Sequence, residues 1–221
     1  MSESISDKEL EKLDKRLKIW VHEVKSCLNF FHGSDSQQHK NFEKFLESFE
    51  ERLLLSPRGT EKEKGGIYGE LVKNSLECMK FVKDFGVEKF CLSENTEEFA
   101  YSLKKVFLLY EIGKLGLETI PLYLEQESDW HRKNGMHFKF NDELTKMLFN
   151  HRTLFILQKY GFELTQDEYL TILTSTASSG DDSFYSTVSN LNPLCIAFNC
   201  VRNFVMAKNN NKQLKLKNQS E

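Results

Sequence analysis

The chain has 221 residues, of which 39% are hydrophobic and 29% are charged, and its formal net charge is −3. This length suits one large domain or two small ones, and a chain of this size buries about 70% of its unfolded surface without disulfide or metal staples. The slightly acidic balance excludes a general nucleic-acid coat, which needs a basic face.

Apolar residues recur three or four positions apart along most of the chain, and this spacing is typical of amphipathic helices. Clusters of Pro, Gly and polar residues separate the helical segments. The elements predicted for the first half are helices over 10–31 and 42–53, a loop over 56–66, a helix over 68–82 closed by Gly86, and a helix over 99–110.

The second half begins with a segment rich in glycine, which predicts an irregular crossing with short helices. Thr165 with Glu168 forms a capping-box pattern, and Asn192 with Pro193 is typical of an N-cap and first helical position. The predicted elements are the crossing over 113–141, helices over 144–158 and 165–173, a polar loop over 175–189 and a helix over 193–205.

No alternating strand pattern of convincing length and no internal repeat is present, so the sequence predicts an all-α fold. Residues 1–52 are expected to form N-terminal helices that pack on the core, and residues 53–207 to form the main helical domain. The segment from 208 to 221 lacks an apolar face and is predicted to be a disordered polar tail.

The N-terminus is polar, and no apolar run approaches the length of about 18 residues that a membrane span requires. The five cysteines are odd in number and form no CxxC pair, which favours buried free thiols in a reducing cytosol. We therefore expect a cytoplasmic protein without a membrane partner.

The chain lacks the motifs of common phosphate and nucleophile sites: GxxxxGK[ST], GxGxxG and GxSxG are all absent. His131 and His137 flank Gly135 and could approach one metal, although their spacing fixes no geometry. His151 lies on the apolar side of its own helix pattern, which predicts a buried core histidine with partners for its ring nitrogens.

Four segments of the chain resemble segments of the HD-superfamily phosphohydrolases, especially those encoded by phages, and they follow the family's order. The loop and helix opening SPRGTEKEKGGIYGELVKNSLECMKF resembles the family's opening, and VFLLYEIGKLG resembles the "LLHDIGKxG" segment. The matching stretches, which together cover about 53–207, are 56–81, 106–116, 130–173 and 193–204. The resemblance implies an HD-domain-like helical bundle with an N-terminal helical extension.

The family binds one or two divalent metals, which activate water and neutralise phosphate oxygens, through histidines and aspartates. By the resemblance, the family's first histidine falls near Glu63, the next on Asn74, and the His-Asp pair on Tyr110 and Glu111. The histidine of "HRS" is retained as His151. The closing aspartate falls on Arg202.

These replacements predict loss of the metal site. The amide of Asn74 is a poor substitute for imidazole, Tyr110 removes a ligand, and Glu111 is a methylene longer than aspartate. Arg202 puts a permanent positive charge where the family needs an anion. We therefore expect a catalytically inactive protein without a cofactor or metal.

The first hypothesis is a pseudoenzyme that acts by binding a host or phage protein, or a nucleotide. Its vestigial pocket would be lined by Glu63, Asn74, Tyr110, Glu111, Lys114, His151, Arg152 and Arg202. The basic residues could neutralise phosphate and Tyr110 could stack on a base. In the other interpretation of the same pocket, Glu111, Arg202 and His151 form an internal polar network that plugs it.

Two further hypotheses stay open. The chain could be a rewired metal-dependent phosphohydrolase acting on nucleotides, with Glu63, Glu111 and His151 as ligands and Asp181 or Asp182 as a fourth. It could also be a structural or regulatory helical protein whose N-terminal helix packs on a partner.

Overall fold

The computed structural model describes residues 5–86, 95–176, 187–188 and 190–217; the side chains of residues 63, 85 and 210–217 lie outside this description. The described chain is mostly helical with one small sheet, which confirms the all-α class at that level. The elements are α1 (Asp7–His32), α2 (Gln37–Leu55), a 3-10 turn (Lys62–Lys64), α3 (Glu70–Phe85), α4 (Thr96–Leu109), a second 3-10 turn (Ile112–Leu115), β1 (Tyr123–Glu125), α5 (Asp129–Lys133), β2 (Phe138–Phe140), α6 (Phe149–Lys159), α7 (Gln166–Thr174) and α8 (Pro193–Lys217).

Two helix starts predicted from side-chain chemistry are confirmed. At α7, the Thr165 hydroxyl accepts from the Glu168 amide at 3.2 Å, and the Glu168 carboxylate accepts from the Thr165 amide at 2.9 Å. At α8, the side-chain oxygen of Asn192 accepts from the Leu194 amide at 2.9 Å. Each cap satisfies backbone donors that a helix start would otherwise leave unpaired.

The two N-terminal helices share one core with the rest of the described chain. Trp20 of α1 is fully buried, and its indole nitrogen donates to the Leu108 carbonyl of α4 at 3.2 Å. Phe42 and Phe45 of α2 pack edge-on against Phe162, beyond the end of α6. Because its tryptophan is buried, α1 covers the core on this side, while its apolar residues Leu10, Ile19 and Phe30 remain exposed.

The crossing between α4 and α6 contains a two-stranded antiparallel ribbon that the sequence did not predict. Tyr123 pairs with Phe140 and Glu125 pairs with Phe138 across β1 and β2. Each strand has three residues, which is too short for an alternating pattern to be recognised. One face of the ribbon lines a cavity.

The last helix is longer than predicted, and it runs to Lys217, into the segment for which disorder was expected. Adding residues to an existing helix avoids the cost of nucleation, and the Asn209 amide donates to Glu77 of α3 at 3.0 Å. Most of the predicted polar loop over 175–189 lies outside the described residues.

The described cysteines are all free thiols. Cys27, Cys78 and Cys195 are buried as predicted, whereas Cys200 is exposed because it lies on the solvent side of α8. Cys91 lies outside the described residues. Within the described ranges, no helix combines the length and apolar character needed to cross a bilayer.

Candidate functional site

Four neighbouring segments bring polar side chains together around one carboxylate. The loop after α2 supplies Arg58, α3 supplies Asn74, the end of α4 supplies Tyr110 and Glu111, and the second 3-10 turn supplies Lys114. We call these five residues the Glu111 cluster. The five residues come from two of the four stretches that carry the resemblance, 56–81 and 106–116.

The carboxylate of Glu111 is fully engaged. Its side chain is only 1% exposed, and the Arg58 Nε atom donates to both oxygens at 2.9 and 3.0 Å. The Lys114 ammonium donates to Oε1 at 2.5 Å. The Asn74 amide donates to Oε2 at 3.0 Å and to the Tyr110 hydroxyl at 3.0 Å.

Burial and charge act in opposite directions on the pKa values of the cluster. Burial alone raises the pKa of Glu111, but Lys114 and Arg58 overcome this effect and lower it to about 2. Burial lowers the pKa of Lys114 despite the neighbouring carboxylate. For Arg58, burial lowers the pKa, but Glu111 more than compensates and raises it. One buried anion is thus shared by two cations.

A close approach of two segments holds the cluster in place. A Cβ atom on Gly113 would collide with the Phe149 carbonyl and the Thr153 amide, so only glycine allows α6 to come this near. The Thr153 hydroxyl accepts from the Gly113 amide at 2.9 Å and donates to the Tyr110 carbonyl at 2.8 Å. The 3-10 turn that carries Lys114 is therefore pinned to α6.

The Arg58 backbone is fixed as firmly as its side chain. Its carbonyl accepts from the Lys114 ammonium at 3.1 Å and from the Tyr123 hydroxyl at 3.1 Å. The Lys114 ammonium also lies over the Phe149 ring, 4.7 Å from its centroid. These contacts leave the Lys114 side chain 12% exposed.

Arg152 has a structural role that differs from the predicted phosphate contact. The side chain is buried and donates to backbone carbonyls of Gly113 at 3.2 Å, Thr145 at 3.1 Å and Met147 at 3.3 Å. It thereby ties the chain before α6 to the 3-10 turn.

His151 is exposed, so the prediction of a buried core histidine is wrong. On α6, Thr153 and Arg152 face the Glu111 segment, which turns His151 towards solvent together with the exposed side chains of Leu148 and Phe155. Both sides of α6 carry apolar residues, and the sequence pattern therefore indicated the wrong face.

Arg202 does not pair with Glu111, and the plug of Glu111, Arg202 and His151 is not formed. Its guanidinium donates to the Ser175 carbonyl and lies 5.6 Å from the centroid of the Phe198 ring. Its Nε atom is buried without a hydrogen-bond partner among the described residues. Arg58, from the loop over 56–66, takes the place that the sequence analysis gave to Arg202.

The remaining predicted ligands cannot be placed. The side chain of Glu63 and the whole of Asp181 and Asp182 lie outside the described residues. In the described part of the chain, no three His, Cys, Asp or Glu residues are grouped as metal ligands. The donors around Glu111 do not fit the divalent metal that the resemblance implies, because two fixed cations already share the carboxylate.

Arg58 is the residue of this site that the sequence analysis missed. It lies 53 residues before Glu111 in a charged loop, where a basic residue is usually solvated. Only the neighbouring proline and glycines, which mark a rigid loop near the resembled opening, gave an indirect signal.

No family model, no curated protein and no solved structure matches this chain.

Proposed function

We propose that this chain is a non-catalytic protein of HD-like descent, phage-encoded, that acts by binding a protein partner rather than by turning over a substrate. The observation that carries the proposal is the double engagement of Glu111. The resemblance assigns this residue to a metal-ligand position, and here Arg58 and Lys114 hold its carboxylate.

A metal at this position would have to displace two cations. A dication beside Arg58 and Lys114 would be repelled by both, and the freed cations would lose their buried counter-charge. The alternative of a rewired phosphohydrolase also needs Glu111 and His151 on one ion. The exposed position of His151 on α6 disfavours that arrangement.

A protein partner is favoured over a nucleotide for two reasons. The cations that would neutralise phosphate already have partners in the protein. Arg58 and Lys114 form ion pairs with Glu111, and Arg152 donates to backbone carbonyls. In addition, Leu148 at the N-cap of α6 and Phe155 within the helix are both exposed. Large apolar side chains grouped on a surface are typical of protein contacts.

The direct test is the metal content and activity of the full chain purified without chelator. We expect well below about one equivalent of any transition metal, as for a protein without a formed site, and no hydrolysis of deoxynucleoside triphosphates. Stoichiometric metal together with turnover, both lost in Glu111→Gln and kept in the surface control Glu127→Gln, would contradict the proposal.

A second measurement separates the protein partner from a nucleotide. Thermal unfolding is followed with nucleotides and cyclic dinucleotides, and we expect no rise in Tm, because a ligand stabilises only a state that binds it. A rise that Lys114→Met abolishes would instead assign the cluster to nucleotide binding.

A further inference from the structure

A cavity lies beside the Glu111 cluster and is lined by other residues. A cavity of about 300 Å³ opens between the end of α2, the loop after it and the β1–β2 ribbon. The residues that line it include the aromatic Tyr68, Tyr123 and Phe138 and the acidic Glu51 and Glu125. None of the five residues of the Glu111 cluster lines it.

The aromatic part of the lining is built by the ribbon. Glu125 of β1 pairs directly with Phe138 of β2, and Tyr123 lies two residues before Glu125 and hence on the same face. The Tyr68 ring meets the Phe138 ring edge to face, with centroids 5.1 Å apart and planes at 84°. Faces of such rings carry partial negative charge and attract cations within about 6 Å.

The polar part of the lining adds negative charge to these rings. The Tyr68 hydroxyl donates to one Glu125 oxygen, which holds the carboxylate at the cavity. Among the described residues that line the cavity, Arg52 is the single basic one, and its guanidinium donates to the carbonyls of Leu115, Leu117 and Glu118. Because Glu51 and Glu125 are negative and Arg52 is positive, the described residues of the lining have a net charge of about −1.

We propose that this cavity binds a small organic ammonium ion, with the positive nitrogen against the rings of Tyr68, Tyr123 and Phe138 and near Glu51 and Glu125. Aromatic rings with carboxylates at the edge are the chemistry that recognises alkylated ammonium groups. The cavity volume lies at the lower end of small-molecule sites, so the ligand is a compact cation. This site goes beyond the binding role proposed above and does not depend on it.

The test compares choline with its neutral isostere, in which a carbon atom replaces the nitrogen. Both are titrated into the full chain at matched ionic strength, and binding is followed by ligand-observed NMR and by Tm. We expect choline to bind and to raise Tm, and the isostere to do neither. An equal response to both ligands, or no response to choline, would overturn the proposal.

Two variants locate the site. Glu125→Gln keeps the shape of an exposed side chain but removes its charge, and we expect choline affinity to fall about tenfold, as for loss of one charged contact. Tyr68→Leu should weaken choline binding to a similar degree, with folding checked by circular dichroism. Glu127→Gln, whose side chain is 87% exposed and outside the cavity, should bind like the wild type. Unchanged choline affinity in both Glu125→Gln and Tyr68→Leu would overturn the assignment.

Discussion

Two buried carboxylates, Glu111 and Glu168, show how differently one fold can neutralise the same charge. Their side chains are 1% and 0% exposed. Glu111 accepts from Arg58, Lys114 and Asn74, so both oxygens are satisfied. Glu168 pairs with one cation, Lys105 of α4, at 2.9 Å, and its second oxygen has no hydrogen-bond partner in the described residues.

The difference follows from what each carboxylate does. Glu168 completes the capping box of α7, and Lys105 also donates to the Glu163 carbonyl at 2.8 Å, so this pair joins α4 to the start of α7. Glu111 caps no helix with its side chain. Its side chain joins three segments: the loop after α2, helix α3 and the second 3-10 turn. Two positive charges, those of Arg58 and Lys114, lie against its single negative charge. Of the two, only Glu111 is a residue that the resemblance assigns to a metal-ligand position.

Of the substitutions at the two carboxylates, Glu111→Gln is expected to change the free energy of unfolding most. The substitution leaves two partly buried cations without their buried counter-charge, and we expect the free energy of unfolding to fall by about 4 kcal/mol. Urea unfolding followed by circular dichroism measures the change. The control Glu127→Gln, at an exposed pair with Lys139, should stay within about 0.5 kcal/mol of wild type. Equal stability of Glu111→Gln and wild type would mean that the cations reach water.

The matching change at the second carboxylate, Glu168→Gln, should cost less, at about 3 kcal/mol. It strands one cation instead of two, and the amide oxygen can still accept from Lys105 or the Thr165 amide. The same urea titration measures it. A loss larger than that of Glu111→Gln would show that the number of stranded cations does not set the order.

The parts of these two sites that could be predicted from the sequence are the local ones. The Thr165–Glu168 box was predictable because its residues lie three apart and the chemistry of helix starts is general. The helices themselves followed from apolar spacing. The three-residue strands of the ribbon carried no such pattern, and the contact between Asn209 of α8 and Glu77 of α3 joins residues 132 apart in the sequence.

The non-local partners could not be predicted. Lys105 meets Glu168 across 63 residues and Arg58 meets Glu111 across 53, and no spacing rule links residues that far apart. The resemblance indicated Glu111, but Arg202 was expected as its partner. A resemblance relates positions in two sequences and gives no distances between side chains. His151 was misplaced because α6 is apolar on both sides, and the contacts of Arg152 and Thr153 with the 3-10 turn fix the orientation of the helix.

The smallest effect that we expect is the response of the Glu111 cluster to acid. Burial would raise the pKa of Glu111, yet Lys114 and Arg58 lower it from 4.5 to about 2. Unfolded chains therefore take up a proton on Glu111 at a higher pH than folded chains do. The stabilisation from this carboxylate is present above its unfolded pKa and is lost as the pH falls towards its folded pKa.

Acidification should therefore narrow the stability gap between wild type and Glu111→Gln. Between about pH 5.5 and pH 3, a shift of this size removes about 2 kcal/mol of the wild-type advantage. Urea titrations of both proteins across this range measure the gap, and the same comparison in the Glu168→Gln background should give the same narrowing, since Glu111 and its cations are intact there. A gap that stays constant with pH would mean that folded and unfolded Glu111 bind protons alike. Arg58 and Lys114 would then not hold the Glu111 carboxylate charged.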